Sequence, residues 1–382
     1  MTGRIPPWFR VALALFGVGW GANQFSSLLV VYRDHDHLPA TVVALLFGAY
    51  AIGLVPALIV AASFSDRLGR RRVMRPVLVL ATVASVVLLL TGDHVWGLTV
   101  GRLVAGAASG AAFGPGTAWV KELSAPGTGA RRAVVALSAG FGGGPLVAGV
   151  LAQWLPLPTV LPYLAHLAVM AVIIPLVWRA PETVPSVVPS RRGELRAAVR
   201  RPEFRFQVAP AAPLVFGAAT ASFAVLPGMV RLHGLGAVVG GVVAGVTLGT
   251  GVVVQPLARR LGPGFSHYLG IALAATGFVL GAVTIQWAVA ALLVPTAVVL
   301  GGCYGMLLVA GLSTVERLAA PEDLASVTAV FYCLTYVGFA TPYVVTAVTA
   351  EVPPSVTFLI AAALAVVLIV MTAVTKRLTL WR

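Results

Sequence analysis

Arg102 stands alone in an apolar run, "VWGLTVGRLVAGAASGAAFG" from Val95 to Gly114. A guanidinium carries five donors and stays charged. In apolar surroundings it can hold an oxygen of a substrate, or pair with a carboxylate and control that group's proton. The bland alternative is that its stem lets the head reach outward to water. Asn23 and Gln24 lie side by side inside another apolar run. Buried amides need partners, so these two bond either a substrate or a neighbouring helix. His166 sits in a third run, where an imidazole either carries a proton near neutral pH or packs as the neutral ring. Tyr304, Tyr332 and Tyr336 offer rings and hydroxyls, and Tyr332 and Tyr336 share a helix face by their spacing. Phe113 and Trp20 are further candidates for a ring-lined site, with ordinary aromatic packing as the alternative. All twelve acidic residues fall near the ends of apolar runs or between them, Asp34 just beyond the first. No nucleophile, base and orienting group recur at catalytic spacing. "RDHDH" at 33–37 has no further ligand spacing beside it. An enzyme, a cofactor and a metal site are therefore not expected.

The runs that position these residues are long. Hydrophobic residues make up 59% of the 382 and charged residues 10%, against roughly 25% charged in soluble domains. The mean hydropathy is +0.96. A soluble chain of this kind would expose large apolar patches, so the protein is expected to be an all-α integral membrane protein. Its net charge of +14 does not mark a nucleic-acid binder, because the basic residues are strung between apolar runs. The 24 arginines against two lysines suggest a GC-rich bacterial source, and hence the inner (plasma) membrane.

Twelve runs are long enough to span: 9–32, 40–63, 73–91, 95–120, 133–154, 158–178, 206–230, 238–257, 266–285, 287–312, 325–348 and 354–375. With both termini cytoplasmic, the segments on that side hold 23 of the 26 basic residues, which is the asymmetry the positive-inside rule expects. Arg102 then lies within helix 4, where a charge near the midplane costs at least ~2.5 kcal/mol. The hydrophilic segment 179–205 divides the chain into bundles at 1–178 and 206–382. Its stretch "RRGELRAAVRRPEFR" reads either as a basic helix on the lipid surface or as a solvated linker.

The halves repeat weakly. "GTAWVKELSAP" from Gly116 and "GLSTVERLAAP" from Gly311 share a pattern at an offset of 195, and "RLG" at 67–69 recurs at 260–262, an offset of 193. Two pseudo-symmetric six-helix bundles follow.

Three motifs carry a family resemblance. "ASFSDRLGRRR", Ala62 to Arg72, resembles the signature loop of the major facilitator superfamily, with Asp66, Arg67, Gly69, Arg70 and Arg71 in place and Ala62 where a glycine is usual. "GRLVAGAASGAA" resembles the helix-4 motif through Arg102, Gly106 and Gly110. "GFGGGPLVAG" matches the helix-5 pattern of antiporting exporters through Gly140, Gly144, Pro145 and Gly149. The resemblance implies a monomeric secondary transporter in lipid that works by alternating access. It implies export of an amphipathic small molecule, drug or metabolite, against proton influx. The signature loop implies a latch in which Asp66 bonds an arginine of its own loop and the start of helix 11. It also places helices 1 and 4 along the central cavity. Asp34 is then the carboxylate expected to exchange a proton under the control of Arg102, with His166 as the other candidate carrier. A proton-coupled importer or facilitator of a metabolite is the first rival reading, and a non-transporting membrane sensor or binding protein the second. The chain carries no phosphate-binding G-x-x-x-x-G-K-[ST] loop, which argues against an ATP-driven pump.

Overall fold

The computed structural model describes residues 5–92, 94–183, 199–319 and 324–380. The side chains of residues 62, 63, 66, 67, 325, 326 and 376–380 lie outside that description. Within it every regular element is helical, and twelve helices are long enough to span a membrane. They are α1 Pro7–Asp34, α2 Ala40–Leu68, α3 Arg70–Thr91, α4 Val95–Glu122, α5 Gly129–Trp154 and α6 Leu161–Trp178, followed by α7 Phe204–Met229, α8 Gly236–Val253, α9 Gln255–Gln286, α10 Ala290–Leu318, α11 Val327–Val348 and α12 Pro354–Thr375. Helices satisfy their own backbone groups, which a chain in hydrocarbon must do. Eleven of the twelve are also apolar enough by composition, and α4 falls short because glycines and Arg102 dilute its run. Large apolar side chains are exposed on the helices, among them Leu90, Val172 and Val253, as suits a chain solvated by lipid.

The boundaries differ from expectation where single residues act. The loop expected at 258–265 is one residue wide. Gly262 breaks α9 at φ 79°, ψ 160°, and helical turns continue on both sides of it. Gly69 separates α2 from α3 in the same way at φ 98°, ψ 155°. Only glycine adopts this backbone region without strain. The two breaks stand 193 residues apart, so the weak repeat in sequence is a repeat in conformation. α1 is interrupted at Gln24 only locally, since that residue keeps helical angles (φ −54°, ψ −30°) and its N–H still bonds the carbonyl of Trp20. α7 contains two π-helical stretches, Phe204–Val208 and Ala221–Val225. α10 enters through a short 3₁₀ turn, Ala290–Leu292.

The chain packs as two units, Met1–Val188 with Leu235–Gly245, and Pro189–Gly234 with Val246–Arg382. In the first, α4 lies directly on α2. A Cβ on Gly106 would overlap the carbonyl of Tyr50, and one on Gly110 that of Leu54. In the second, α10 lies on α8 in the same register, with Gly301 on the carbonyl of Thr247 and Gly305 on that of Gly251. Small residues let helix backbones approach this closely where no hydrophobic force drives association. The first unit is centred on Leu15, Val18, Leu78, Ala108, Trp119 and Met170, all buried.

Candidate functional site

Arg102 is fully enclosed, at 1% exposure. Its Nε donates to the carbonyl of Leu46 (3.2 Å), and its terminal nitrogens donate to those of Ala22 (3.1 Å) and Phe47 (3.3 Å). The guanidinium also lies over the rings of Phe25 (4.5 Å) and Tyr50 (4.8 Å). Carbonyl dipoles and ring faces are the two uncharged partners a cation can find in a dry interior. Phe25 stacks on Tyr32, whose hydroxyl meets that of Tyr163 at 2.9 Å. Arg102 therefore joins α4 to α1 and α2, and the aromatic chain carries on to α6. The expected exchange with Asp34 is not assembled. Asp34 pairs with its neighbour Arg33 at 2.7 Å and is 57% exposed, whereas Arg102 is spent on carbonyls.

The break in α1 sits against the proline of α5. Pro145 has no N–H, so the carbonyl of Phe141 loses its helical donor. Asn23 supplies one, its Nδ2 donating to that carbonyl at 2.9 Å. Ser27 donates to the carbonyl of Pro145 at 2.6 Å, and Ser26 to that of Asn23 at 2.8 Å. Gly140 and Gly144 make the approach possible. A Cβ on Gly144 would lie 2.7 Å from the carbonyl oxygen of Trp20, and one on Gly140 would overlap that of Phe16. Gly149 meets the backbone of Ala237, in the part of α8 that packs with the first unit.

Gln24 turns the other way, into a buried chain between α1, α3 and α6. Its Nε2 donates to Ser85 Oγ (3.3 Å), Ser85 Oγ meets His166 Nδ1 (2.8 Å), and His166 Nε2 meets the carbonyl of Gly17 (3.0 Å). A neutral ring protonated on Nε2 satisfies every contact in this order. Gln24 Oε1 is buried and has no hydrogen-bond partner among the described residues. Gly21 leaves the room this needs, since a Cβ there would lie 2.8 Å from the imidazole.

In the second unit Tyr304 of α10 and Tyr332 and Tyr336 of α11 lie in one aromatic cluster, with Tyr332 and Tyr336 6.5 Å apart. Two residues complete the cluster that sequence alone does not single out. Phe216 stacks on Tyr336 at 4.9 Å and lies 5.5 Å from Tyr304, and Phe339 lies 5.2 Å from Phe216. Phe113 joins no such cluster. It pairs with Phe141 in the first unit at 5.7 Å, while Trp20 packs on Phe16 at 5.6 Å.

The Arg-rich turn after α2 is held by carboxylates from elsewhere in the first unit. Arg70 pairs with Glu122 at 3.1 Å and donates to Ser65 at 2.8 Å. Glu182 accepts from the backbone N–H of Arg71 at 2.9 Å, an anion at the start of α3. Thr183 bonds the same Glu122, and Trp119 Nε1 donates to the carbonyl of Pro181 at 3.0 Å. The side chains of Asp66 and Arg67, and the chain at 320–323, lie outside the described residues, so the helix-11 arm of the latch is not part of this picture. The basic stretch of the linker falls largely in the same category. Sequence alone does not single out Glu122, Glu182 or Ser85: the first is the last residue of α4, the second follows α6, and the third is one hydroxyl within α3.

The sequence profile described as Major Facilitator Superfamily matches residues 11–341. "Putative transporter AraJ" of Escherichia coli (strain K12) is 26% identical over 220 residues, 54% of this chain and 51% of that protein. The match thus spans about half the length of that curated relative. Two solved structures share the fold along nearly the whole chain. A POT family transporter in complex with 5-aminolevulinic acid superposes with a TM-score of 0.77 at 13% identity, covering 98% of this chain and 96% of the other. The nucleoside transporter NupG superposes with a TM-score of 0.71 at 14% identity, covering 97% and 99%.

Proposed function

This chain belongs to the Major Facilitator Superfamily, and on that premise we propose that it is a secondary active transporter which exports an amphipathic small molecule by alternating access, coupled to proton influx. The observation that carries the reading is the α1–α5 seam. Its Gly140, Gly144, Pro145 and Gly149 pattern is the one exporters of this family resemble, and Asn23 repairs the carbonyl that Pro145 leaves open. A bend so supported lets two helices touch along bare backbone while closing the path between them to ions.

The substrate meets ring faces rather than a counter-charge. Tyr304, Tyr332 and Tyr336, widened by Phe216 and Phe339, form its aromatic wall. Asn23 and Gln24 stay on the list of substrate contacts only through the break in α1, because each is already bonded within the bundle. Arg102 acts as a fastener between helices, and Asp34 is left without a coupling role. Asp66 and Arg67 work with Gly69 and Arg70 as the conformational latch. The protein resides as a monomer in a bacterial inner membrane with both termini in the cytoplasm.

Proton coupling falls to the chain Gln24–Ser85–His166, which can run in two directions. With the neutral ring, Gln24 donates to Ser85 and Ser85 to Nδ1. When Nδ1 gains a proton it donates to Ser85 Oγ, and the serine proton turns to Gln24 Oε1 once the amide flips. Ser85 and the ring keep their bonds in both states, the Gln24 oxygen left open in the neutral state gains a donor in the protonated one, and the amide reports the proton to the break in α1. The test is a growth screen of an efflux-deficient host against toxic compounds, followed by flux of the hit in proteoliposomes under an imposed pH gradient. Protection, with outward flux that follows the proton gradient, is expected. Uptake of the compound, or flux indifferent to the gradient, overturns the reading.

A further inference from the structure

The second unit contains a cavity of about 180 Å³ apart from the aromatic cluster, walled by α7, α9, α10 and α11. Ala212, Val215, Leu307 and Phe331 give it an apolar wall, each exposed by no more than 2%, and the buried His267 also lines it. Its mouth is charged. Glu203 and Arg317 face each other there at 3.4 Å, with side chains 46% and 59% exposed, and Gln207 and Thr314 stand beside them. The wall at Gln207 and Val208 is one of the two π-helical stretches of α7, a widened turn of the kind that recurs at functional sites. Gly311 is also part of the lining, and a Cβ there would collide with the Phe331 ring that forms the floor.

Size and charge together name a ligand. The volume of about 180 Å³ lies below the roughly 300–1,000 Å³ of drug-sized pockets, which suits a small ligand rather than a peptide or a large drug. A long ion pair between half-exposed side chains contributes little to stability. It can be opened by a molecule that presents both charges at once. The planar guanidinium of Arg317 suits a carboxylate, and Glu203 accepts from an ammonium. We infer that this cavity binds a small zwitterion with an apolar tail, an α-amino acid of about leucine's size, with the carboxylate on Arg317, the ammonium on Glu203 and the side chain against Phe331. Phe331 lies 5.8 Å from Tyr332 of the aromatic cluster, so occupancy presses on the wall proposed for the exported substrate.

The site stands independently of the export reading, because binding needs neither a gradient nor flux. The experiment is ligand-observed NMR titration of the full chain in detergent micelles with L-leucine, hexanoate and hexylamine. L-leucine binds, and each one-charge analogue binds at least tenfold more weakly. Arg317→Gln and Glu203→Gln each weaken L-leucine at least tenfold without shifting the melting temperature, since both side chains are half-exposed. Ala212→Phe, which fills the floor, abolishes binding of all three probes. The inference is overturned if the wild-type protein does not bind L-leucine, if hexanoate or hexylamine binds as well, or if L-leucine binding survives both charge substitutions.

Discussion

Asn23 donates its side-chain amide to the carbonyl of Phe141 at 2.9 Å, the carbonyl that Pro145 leaves without a helical donor. The donor that Pro145 removes from α5 is thereby replaced by a residue of α1, across the seam that Gly140 and Gly144 keep bare. Replacing Asn23 by leucine leaves a buried acceptor open, at about 1–3 kcal/mol. Unfolding in micelles should therefore begin several degrees lower for Asn23→Leu than for wild type. A melting temperature that does not move would mean that the carbonyl finds water or another donor, and that the seam does not depend on Asn23.

Gly106 and Gly301 should fail together. Each sits where a Cβ would overlap a carbonyl of the facing helix, at Tyr50 in one unit and Thr247 in the other. Overpacking of this kind costs about 1–3 kcal/mol or more, so Gly106→Val and Gly301→Val should both cut the yield of folded protein sharply. Gly114 is the control. Nothing lies within 4 Å of a Cβ built there, and Gly114→Ala should fold at least as well as wild type, as an added methyl favours helix. The decisive comparison is size-exclusion yield for the three variants at equal expression.

That pairing also marks how far sequence reached. Arginine placement alone orders twelve spans, because every omitted helix would invert the charge pattern after it. The two "RLG" turns are legible because the helical path breaks at Gly69 and Gly262, and each break needs a glycine's backbone. The site was less legible. Arg102 was readable as a buried charge but not as a carbonyl-bound fastener, since its partners at Ala22, Leu46 and Phe47 are backbone atoms that every residue carries. Phe216 and Phe339 are ordinary apolar letters until the packing of α7 on α11 brings them to Tyr336. Glu182 gains meaning only because the chain after α6 returns to the start of α3.

Arg102 separates a fastener from a transport charge by the order of two variants. Lysine keeps the charge and loses the planar fork that reaches three carbonyls. Methionine keeps much of the stem and removes the charge, and buried charges are often replaced by apolar side chains at little cost. The fastening role predicts that Arg102→Met is the more stable of the two, by about 2 kcal/mol. It also predicts that Arg102→Met retains transport. Transport retained by Arg102→Lys and abolished in a well-folded Arg102→Met would restore a role for the charge itself.

The latch gives a different signature from the seam. Asp66→Asn should leave the melting temperature in place and lower transport several-fold, because it shifts the balance of two states and spares the binding wall. Glu182→Gln removes an anion from the start of α3, worth about 0.3–1 kcal/mol, and should lower stability slightly. Full transport by a well-expressed Asp66→Asn protein would remove Asp66 from the mechanism.

His166 carries the sharpest prediction, because its environment permits a substitution that keeps the packing and removes the proton. In the chain from Gln24 through Ser85 to Gly17, the neutral ring needs one acceptor at Nδ1 and one donor at Nε2. A glutamine at 166 offers both kinds of group within similar reach and cannot be protonated near neutral pH. His166→Gln should therefore fold and exchange substrate across the membrane in counterflow, yet lose at least tenfold of the flux driven by an imposed pH gradient. Ser85→Ala cuts the chain between proton and amide, and should leave substrate exchange intact while weakening the pH dependence of driven flux. Gln24→Leu removes the flipping amide and should resemble Ser85→Ala rather than His166→Gln in severity. The three variants are compared by counterflow and by gradient-driven flux in the same liposomes. If His166→Gln still couples flux to the pH gradient, protons travel elsewhere, and the buried chain is a structural clip between α1, α3 and α6.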